Sequence, residues 1–369
     1  MKYLILISII WIVDISYAQR SIYLKDAELG QRQVLLSDYA SKIENIPLQT
    51  TDSCLLSDAL SVGCTDKFIF IQDFKNYMFY RFDRSGKFLN KIGRRGNGPF
   101  EYSKPFSFKI DTLNDQIYIV DTYKKSILIF SFSGKYIDKI NLKYATNGIE
   151  LLNDNILYYN INYYKKRSTE LVLINKNGDF IRETKSNSIL TANAVVLELP
   201  QFYTFKGDVY YRNQIDNIVY SIDSELNKTP IWKIDCGERD RDITYKINEK
   251  EHLKGGVVIK NIKELDKYLF ITYYQNGWYN AIYNKMDETI YIIESDNNSV
   301  VDDLSGGPCF NIKYGPFTLS ELIDNTIVSV LQMSDMSDIK EYESSKFYKD
   351  VITSFDVEGN PIVRILTLK

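Results

Sequence analysis

His252 is the only histidine in this 369-residue chain, and it lies in the charged stretch INEKEHLKGG (247–256) with no Gly-x-Ser-x-Gly turn to supply a nucleophile. A single imidazole rules out a three-histidine metal centre, so His252 reads as an exposed loop residue. Carboxylates offer a second route to chemistry. Asp73, Asp111 and Asp121 each end an apolar strand-like run, and several such groups converging on a point could hold a cation. No Asp-x-Asp-x-Asp-Gly loop accompanies them. The simpler expectation is that each caps its own turn through backbone N–H groups, with no metal or cofactor. Cys54, Cys64, Cys236 and Cys309 lack Cys-x-x-Cys spacing. Cys54 with Cys64 is the pair favoured by proximity, and free buried thiols are the alternative.

The remaining chemistry is recognition. Basic and aromatic side chains share short polar segments: Arg94, Arg95, Asn97, Glu101 and Tyr102 in GRRGNGPFEYSKP (93–105), Tyr123, Lys124 and Lys125 in DTYKKS (121–126), Tyr163, Tyr164, Lys165, Lys166 and Arg167 in NYYKKRS (162–168), and Trp278 with Tyr279 in YQNGWYN (274–280). Cations beside ring faces suit an anionic polymer, an acidic sugar or a protein surface. The structural alternative is a solvated loop surface, with the aromatics of 273–279 packing between neighbouring elements. Within RRGNGPFEY, Gly96 and Gly98 are expected to take positive φ, and Glu101 to pair with Arg94 or Arg95 and pin the loop. The net charge of −3 and pI near 5.5 give no overall attraction to nucleic acid, so any electrostatic recognition must be local.

These segments join strands that repeat. FIFIQDFKNYMFYRFDRSGKFLNKI (68–92), QIYIVDTYKKSILIFSFSGKYIDKI (116–140) and ILYYNINYYKKRSTELVLINKNGDFIRET (156–184) share a strand, a turn with Gly86, Gly134 or Gly178, and a closing strand. The spacing of those glycines, 48 and 44 residues, matches four-stranded propeller blades. Blade 1 is predicted over 56–92, blade 2 over 106–141, blade 3 over 147–185, blade 4 over 208–235 without the turn glycine, and blade 5 over 256–295. The tail predicts strands at 327–331 and 362–368 around a helical insertion in 335–355. An outer strand for this sixth blade is then expected from 43–49, which would close the ring and remove two open sheet edges. The fold class is therefore an all-β, six-bladed β-propeller closed by an N-terminal strand, with a short helical insertion in the last blade. Strand order sends the loops between second and third strands, and the connections between blades, to one face. The basic and aromatic residues gather there.

Lys2, an apolar run from Tyr3 to Val13, and small residues at Ser16 and Ala18 predict a signal peptide over 1–18, cleaved before Gln19. Residues 19–369 would then form one exported domain, periplasmic or extracellular. No cysteine near the cleavage point forms a lipobox, no transmembrane anchor is expected, and a monomer is. The 29 Tyr and 19 Phe favour strands.

The segments FDRSGKFLNKIGRRGNGPFEY (82–102), LSDYASKIENIPLQT (36–50) and NPIVRILTLK (360–369) resemble the exported six-bladed β-propellers of Bacteroidetes, relatives of the NHL-repeat propellers. The likeness spans the mature chain. It implies export and the six-bladed fold, and says little about activity. Members carry an RGxGPGEY loop after blade 1. Phe100 replaces the glycine before its Glu-Tyr here, and the lipid-acceptor cysteine of many members is missing. The function expected is non-enzymatic binding of a glycan or protein partner through one loop face. The alternative is a metal-assisted hydrolase or lactonase with its site at the axial channel.

Overall fold

The computed structural model describes residues 19–24, 27, 34–58, 60–161, 168–186, 200–213, 217–239, 256–294, 300–307, 320–321, 326–332, 342–351 and 359–369. Their strands form six blades. Blade 1 comprises Leu60–Cys64, Phe68–Asp73, Met78–Asp83 and Phe88–Lys91 from axis to rim. Blade 2 comprises Pro105–Asp111, Gln116–Asp121, Ser126–Ser131 and Tyr136–Asn141. Blade 3 runs through Ile149–Leu152, Asn155–Tyr159, Thr169–Asn175 and Phe180–Lys185. Blade 4 follows with Gln201–Phe205, Asp208–Arg212, Ile218–Ile222 and Lys228–Asp235. Blade 5 takes Val258–Glu264, Tyr268–Tyr274, Trp278–Asn284 and Ile290–Glu294.

The core is divided among the seams between blades. In the second strand of blade 2, Ile117 and Ile119 pack toward blade 1 while Tyr118 and Val120 pack toward blade 3. The second strands of blades 1, 2 and 5 are buried almost throughout in this way and read as near-continuous apolar runs, whereas Asp208–Arg212 and Ile218–Ile222 of blade 4 are only partly buried. The turn glycines are tied to the same seams. Gly86, Gly134 and Gly178 have φ of 85°, 86° and 88°. A Cβ on Gly134 would come within 2.6 Å of Lys91 O, on the outer strand of the preceding blade. Leu226 and Glu288 hold the left-handed position in blades 4 and 5, at φ 61° and 60°.

Blade 6 joins the two ends of the chain. Thr326–Leu331 pairs antiparallel with Ile362–Leu368, which pairs antiparallel with Ala40–Pro47. The closing register runs from Ile362 opposite Pro47 to Thr367 opposite Lys42. The closing strand starts and ends slightly earlier than the expected 43–49. The insertion contains the helix Lys346–Val351, whose Phe347 and Val351 are buried against Leu331 and Ile362. Of the rest of the expected helical span, 335–341 and 352–355 lie outside the described residues.

One face of the closing pair is polar where it meets the insertion. Arg364 is 1% exposed. It donates from Nε to Asn45 Oδ1 at 2.9 Å and from Nη2 to Asp302 Oδ2, and it stacks 5.7 Å from the Phe347 ring. Asp302 also accepts from Ser305 N at 2.7 Å and from Ser305 Oγ, while Asn45 Nδ2 donates to Ser305 Oγ at 3.2 Å. The ion pair is buried and multiply hydrogen-bonded, the condition under which removing one partner is most damaging.

The favoured Cys54–Cys64 disulfide is corrected by the structure. Cys54, Cys64 and Cys236 are free, buried thiols. Cys54 and Cys64 lie in the packed seam between blades 6 and 1, and burial pushes both up to about 12 from 9.0, which makes them inert. Cys309 lies outside the described residues.

Arg364→Ala is expected to cost about 3–5 kcal/mol in urea unfolding, by stranding Asp302, whereas Arg364→Met combined with Asp302→Leu should recover most of that loss. Equal stability of Arg364→Ala and the wild type would refute the ionic closure.

Candidate functional site

The loop leaving blade 1 is pinned from both ends. Gly93, at φ 62°, turns the chain off the outer strand. Arg94 Nε then meets Glu101 Oε1 at 2.6 Å, and Gly98 N donates to Glu101 Oε2 at 2.8 Å. Gly96 N donates to Tyr102 O at 2.9 Å, Tyr102 N donates to Arg94 O at 3.2 Å, and Arg95 and Tyr102 form a parallel bridge. From the second-to-third-strand turn of blade 2, Lys124 Nζ donates to Gly96 O and to Glu101 O, both at 2.9 Å. The expected pairing of Glu101 with Arg94 is thus present, but the glycines act otherwise than expected. The left-handed glycine is Gly93. Gly96 and Gly98 make room for the Glu101 carboxylate, which a Cβ on Gly96 would strike and one on Gly98 would approach to 3.0 Å.

A second latch joins the same two loops. Asp121 accepts from Ser103 N at 2.5 Å, from Ser103 Oγ at 3.0 Å and from Lys124 N at 3.1 Å. Asp73 does the same one blade earlier, accepting from Ser57 N at 2.9 Å, Ser57 Oγ at 2.7 Å and Asn76 N at 2.9 Å. Asp111 caps its own turn through Leu113 N and Asn114 N. These carboxylates therefore hold loops together through backbone donors, as side chains of this type do at turns. Among the described residues no three His, Cys, Asp or Glu side chains cluster closely enough to hold a metal ion.

What stands proud of this scaffold is cationic and aromatic. The Arg95 guanidinium lies 4.7 Å from the Tyr77 ring centre, and Lys104 Nζ lies 5.1 Å from that of Tyr123. Tyr123 is 76% exposed, and Arg95, Asn97, Lys104 and Lys125 are exposed as well. Phe100, where a glycine was expected from the resemblance, is 56% exposed and packs 4.5 Å from the Tyr136 ring. Tyr102, by contrast, is fully buried between blades 1 and 2 with its hydroxyl donating to Ile92 O at 2.9 Å. It supports the loop from beneath. Lys124 is likewise committed to the scaffold.

The structure thus brings Arg94, Arg95, Asn97, Glu101, Tyr123, Lys124 and Lys125 together over Tyr102. Trp278 and Tyr279 belong to blade 5, where each pairs with its cross-strand neighbour: Trp278 edge-on to Tyr274 at 5.7 Å, Tyr279 stacked on Tyr273 at 5.3 Å. Tyr163, Tyr164, Lys165, Lys166, Arg167 and His252 lie outside the described residues. Tyr77 and Lys104 sit in segments the sequence marked but were not singled out, because a cation–ring contact between loops has no signature in local spacing.

The Gly98 amide, with Arg94 and Lys124 beside it, holds the Glu101 carboxyl below its ordinary 4.5. A lowered folded value means the clamp contributes fully above pH 4.5 and is lost as pH falls through the folded value. Trypsin cleavage after Arg94 and Arg95 should therefore be slow at neutral pH in the wild type and faster by about tenfold in Gly96→Ala, where the displaced carboxylate frees the loop. Amide exchange at Gly98 should accelerate in the wild type as the pH drops below 4.5, beyond the intrinsic pH trend. Unchanged cleavage in Gly96→Ala would show that the loop is held by other means.

Comparison with known proteins follows the same architecture. A protein of Bacteroides fragilis NCTC 9343, described as exported, superposes over 95% of this chain and 99% of its own, with a TM-score of 0.72 at 18% identity. A member of the DUF4221 family from Bacteroides vulgatus superposes over 89% of this chain and 97% of its own, with a TM-score of 0.54 at 10% identity. At these identities the likeness is one of fold. None of the curated proteins matches the chain, and the comparisons carry no NHL-repeat assignment. The family model described as "Domain of unknown function (DUF4934)" matches residues 20–367, nearly the whole length, and the chain belongs to that family.

Proposed function

We propose that this protein is an exported, non-enzymatic binding module that recognises an anionic partner, an acidic glycan or an acidic protein segment, on the loop face of blades 1 and 2. The observation that carries this reading is the pair of exposed cation–ring contacts, Arg95 over Tyr77 and Lys104 over Tyr123, on loops pinned by Lys124 and Asp121. The nearby carboxylates are spent inward, Glu101 on Arg94 and Gly98 and Asp121 on Ser103, so the outward face stays positive on a chain of net charge −3. A rigid platform loses little ordering entropy on binding. Ring faces add affinity for sugar or peptide groups flanking the anion. Lys125 and Asn97 extend the same surface. Export rests on the leader at 1–18. Among the described residues no helix is long and apolar enough to cross a membrane.

Oligogalacturonate and poly-glutamate serve as separate probes of the two partner classes by titration calorimetry. Changing Arg95, Lys104 and Lys125 together to Ser should weaken whichever probe binds by at least about tenfold, while surface changes of this kind cost no more than about 0.5 kcal/mol each in stability. Binding should also weaken as salt shortens the Debye length below about 8 Å. Failure of both probes, or equal binding by the triple variant, would overturn the reading. For export, mass spectrometry of the secreted or periplasmic protein should find Gln19 at the amino terminus, and retention of Met1 would refute cleavage.

A further inference from the structure

In blade 4 the outer strand is not the edge of its sheet. Arg20–Tyr23 lies beside it in parallel, with Ser21 opposite Lys233, Ile22 opposite Ile234 and Tyr23 opposite Asp235. Ile22 and Leu24 are fully buried in the seam between blades 4 and 5, against Ile271, Ala281 and Tyr283, with Ile290 at the lip. The fold thus has a berth for a fifth strand, made of a free outer edge and a pocket for one anchoring side chain.

Strand register places a second such berth two blades away. Asn141 is opposite Ser126 as Lys233 is opposite Ile218. The next amide in each case donates into the turn before the third strand, Leu142 N to Lys125 O at 2.7 Å and Ile234 N to Asn217 O at 2.8 Å. Asn141, Leu142 and Lys143 therefore correspond to Lys233, Ile234 and Asp235. Across the seam, the pair Tyr158 and Val172 corresponds to Ile271 and Ala281, and the pair Ile174 and Phe180 to Tyr283 and Ile290.

Among the described residues nothing fills this second berth. The blade 2 sheet ends at Tyr136–Asn141, and the corresponding side chains line an open groove of about 300 Å³. Two other seams are stopped: Tyr102 plugs the one between blades 1 and 2, and Val34, Leu36 and Val300 the one between blades 5 and 6. The connection from blade 2 to blade 3 is short, residues 142–148, and has no segment to spare. Phe180 is left 58% exposed at the lip. The polar chemistry also differs. Lys143 replaces Asp235, and Glu183 stands opposite Val172 where Ile292 stands opposite Ala281. Lys143, at 3.4 Å, and Lys185 share that one carboxylate, which leaves the rim positive.

We propose that the seam between blades 2 and 3 takes an extended peptide segment of a partner protein, added parallel to Tyr136–Asn141. It would insert one aliphatic side chain over Leu142, Val172 and Phe180 and set a carboxylate beside Lys143 and Lys185. The protein's own first strand shows the backbone geometry and the anchor. That strand brings Arg20, which sits over the Trp232 ring at 5.6 Å in blade 4, whereas the corresponding position in blade 2 is Ile140, which offers a cation no ring. An acidic segment is the complementary occupant, and strand addition gives its affinity through main-chain bonds and its selectivity through the anchor.

The probe is a fluorescent synthetic peptide, Glu-Ser-Ile-Tyr-Leu-Glu, measured by anisotropy against the full chain. Saturable binding is expected, with slowed amide exchange across 138–143. Phe180→Asp and Lys143→Glu should each weaken it by about tenfold or more without altering the melting temperature, and Arg-Ser-Ile-Tyr-Leu-Arg should bind at least about tenfold more weakly. Arg95→Ser, on the loop face, should leave it unchanged, which separates this site from the one proposed above. No saturable binding of the acidic peptide, indifference to both groove variants, or protection confined to another blade would overturn the proposal.

Discussion

Pairing between Ala40–Pro47 and Ile362–Leu368 is the constraint on which the rest of the molecule depends. Its partners are far apart in sequence, 319 residues for Asn45 and Arg364. Each blade buries its faces only because a neighbour stands on either side, so an open ring would expose the seams at its two ends. The entropy of closing so long a loop grows slowly with length, and the apolar seam gained on each side offsets it. Blade 6 then serves as anchor for the insertion. Arg364, Asp302, Ser305 and Asn45 bind the exit of blade 5 and the helix Lys346–Val351 to the closing strand in one buried network.

With the ring closed, the loop face inherits its rigidity. Asp73 and Asp121 each tie the start of one blade to the turn within it, through the serine that precedes the innermost strand. Lys124 carries the same logic across blades by capping two carbonyls of the loop from blade 1. Charges that in sequence read as available are therefore divided into two sets. Lys124, Glu101 and Asp121 build the platform, and Arg95, Lys104 and Lys125 remain at its surface. Hydrogen bonds between the loops hold this platform in one arrangement.

The seams at the rim follow a different rule. Among the described residues, chain outside the four-stranded blades stops three seams: Tyr102 after blade 1 does so in one, and Val34, Leu36 and Val300 in the one between blades 5 and 6. The amino-terminal Arg20–Tyr23 does so at blade 4 by strand addition. Blade 2 passes to blade 3 too directly for this, and its outer seam stays open around Lys143, Phe180 and Glu183. Differences in connection length, which look incidental in sequence, thus bear on which seams stay open.

The blades were legible in the sequence because their determinants are local: apolar runs of strand length, and turns whose residues must take left-handed φ or bond their own backbone. Even the closing strand was visible as a strand pattern lacking a neighbour, and Glu101 could be matched with Arg94 across seven residues. The roles of Lys124, Tyr102 and Arg20–Tyr23 were not. Each depends on which groups meet after closure: a lysine against carbonyls from another blade, a tyrosine turned down into a seam, a strand laid on an edge some two hundred residues away. Cys54 and Cys64 illustrate the same limit, since proximity in sequence suggested a bond and packing into one apolar seam left two free thiols. Periodicity and turn chemistry are properties of neighbouring residues, and so they determined the strands, the turns and the number of blades. Which polar groups are consumed inside and which remain for a partner is set by contacts between distant segments, and only the tertiary structure could decide it.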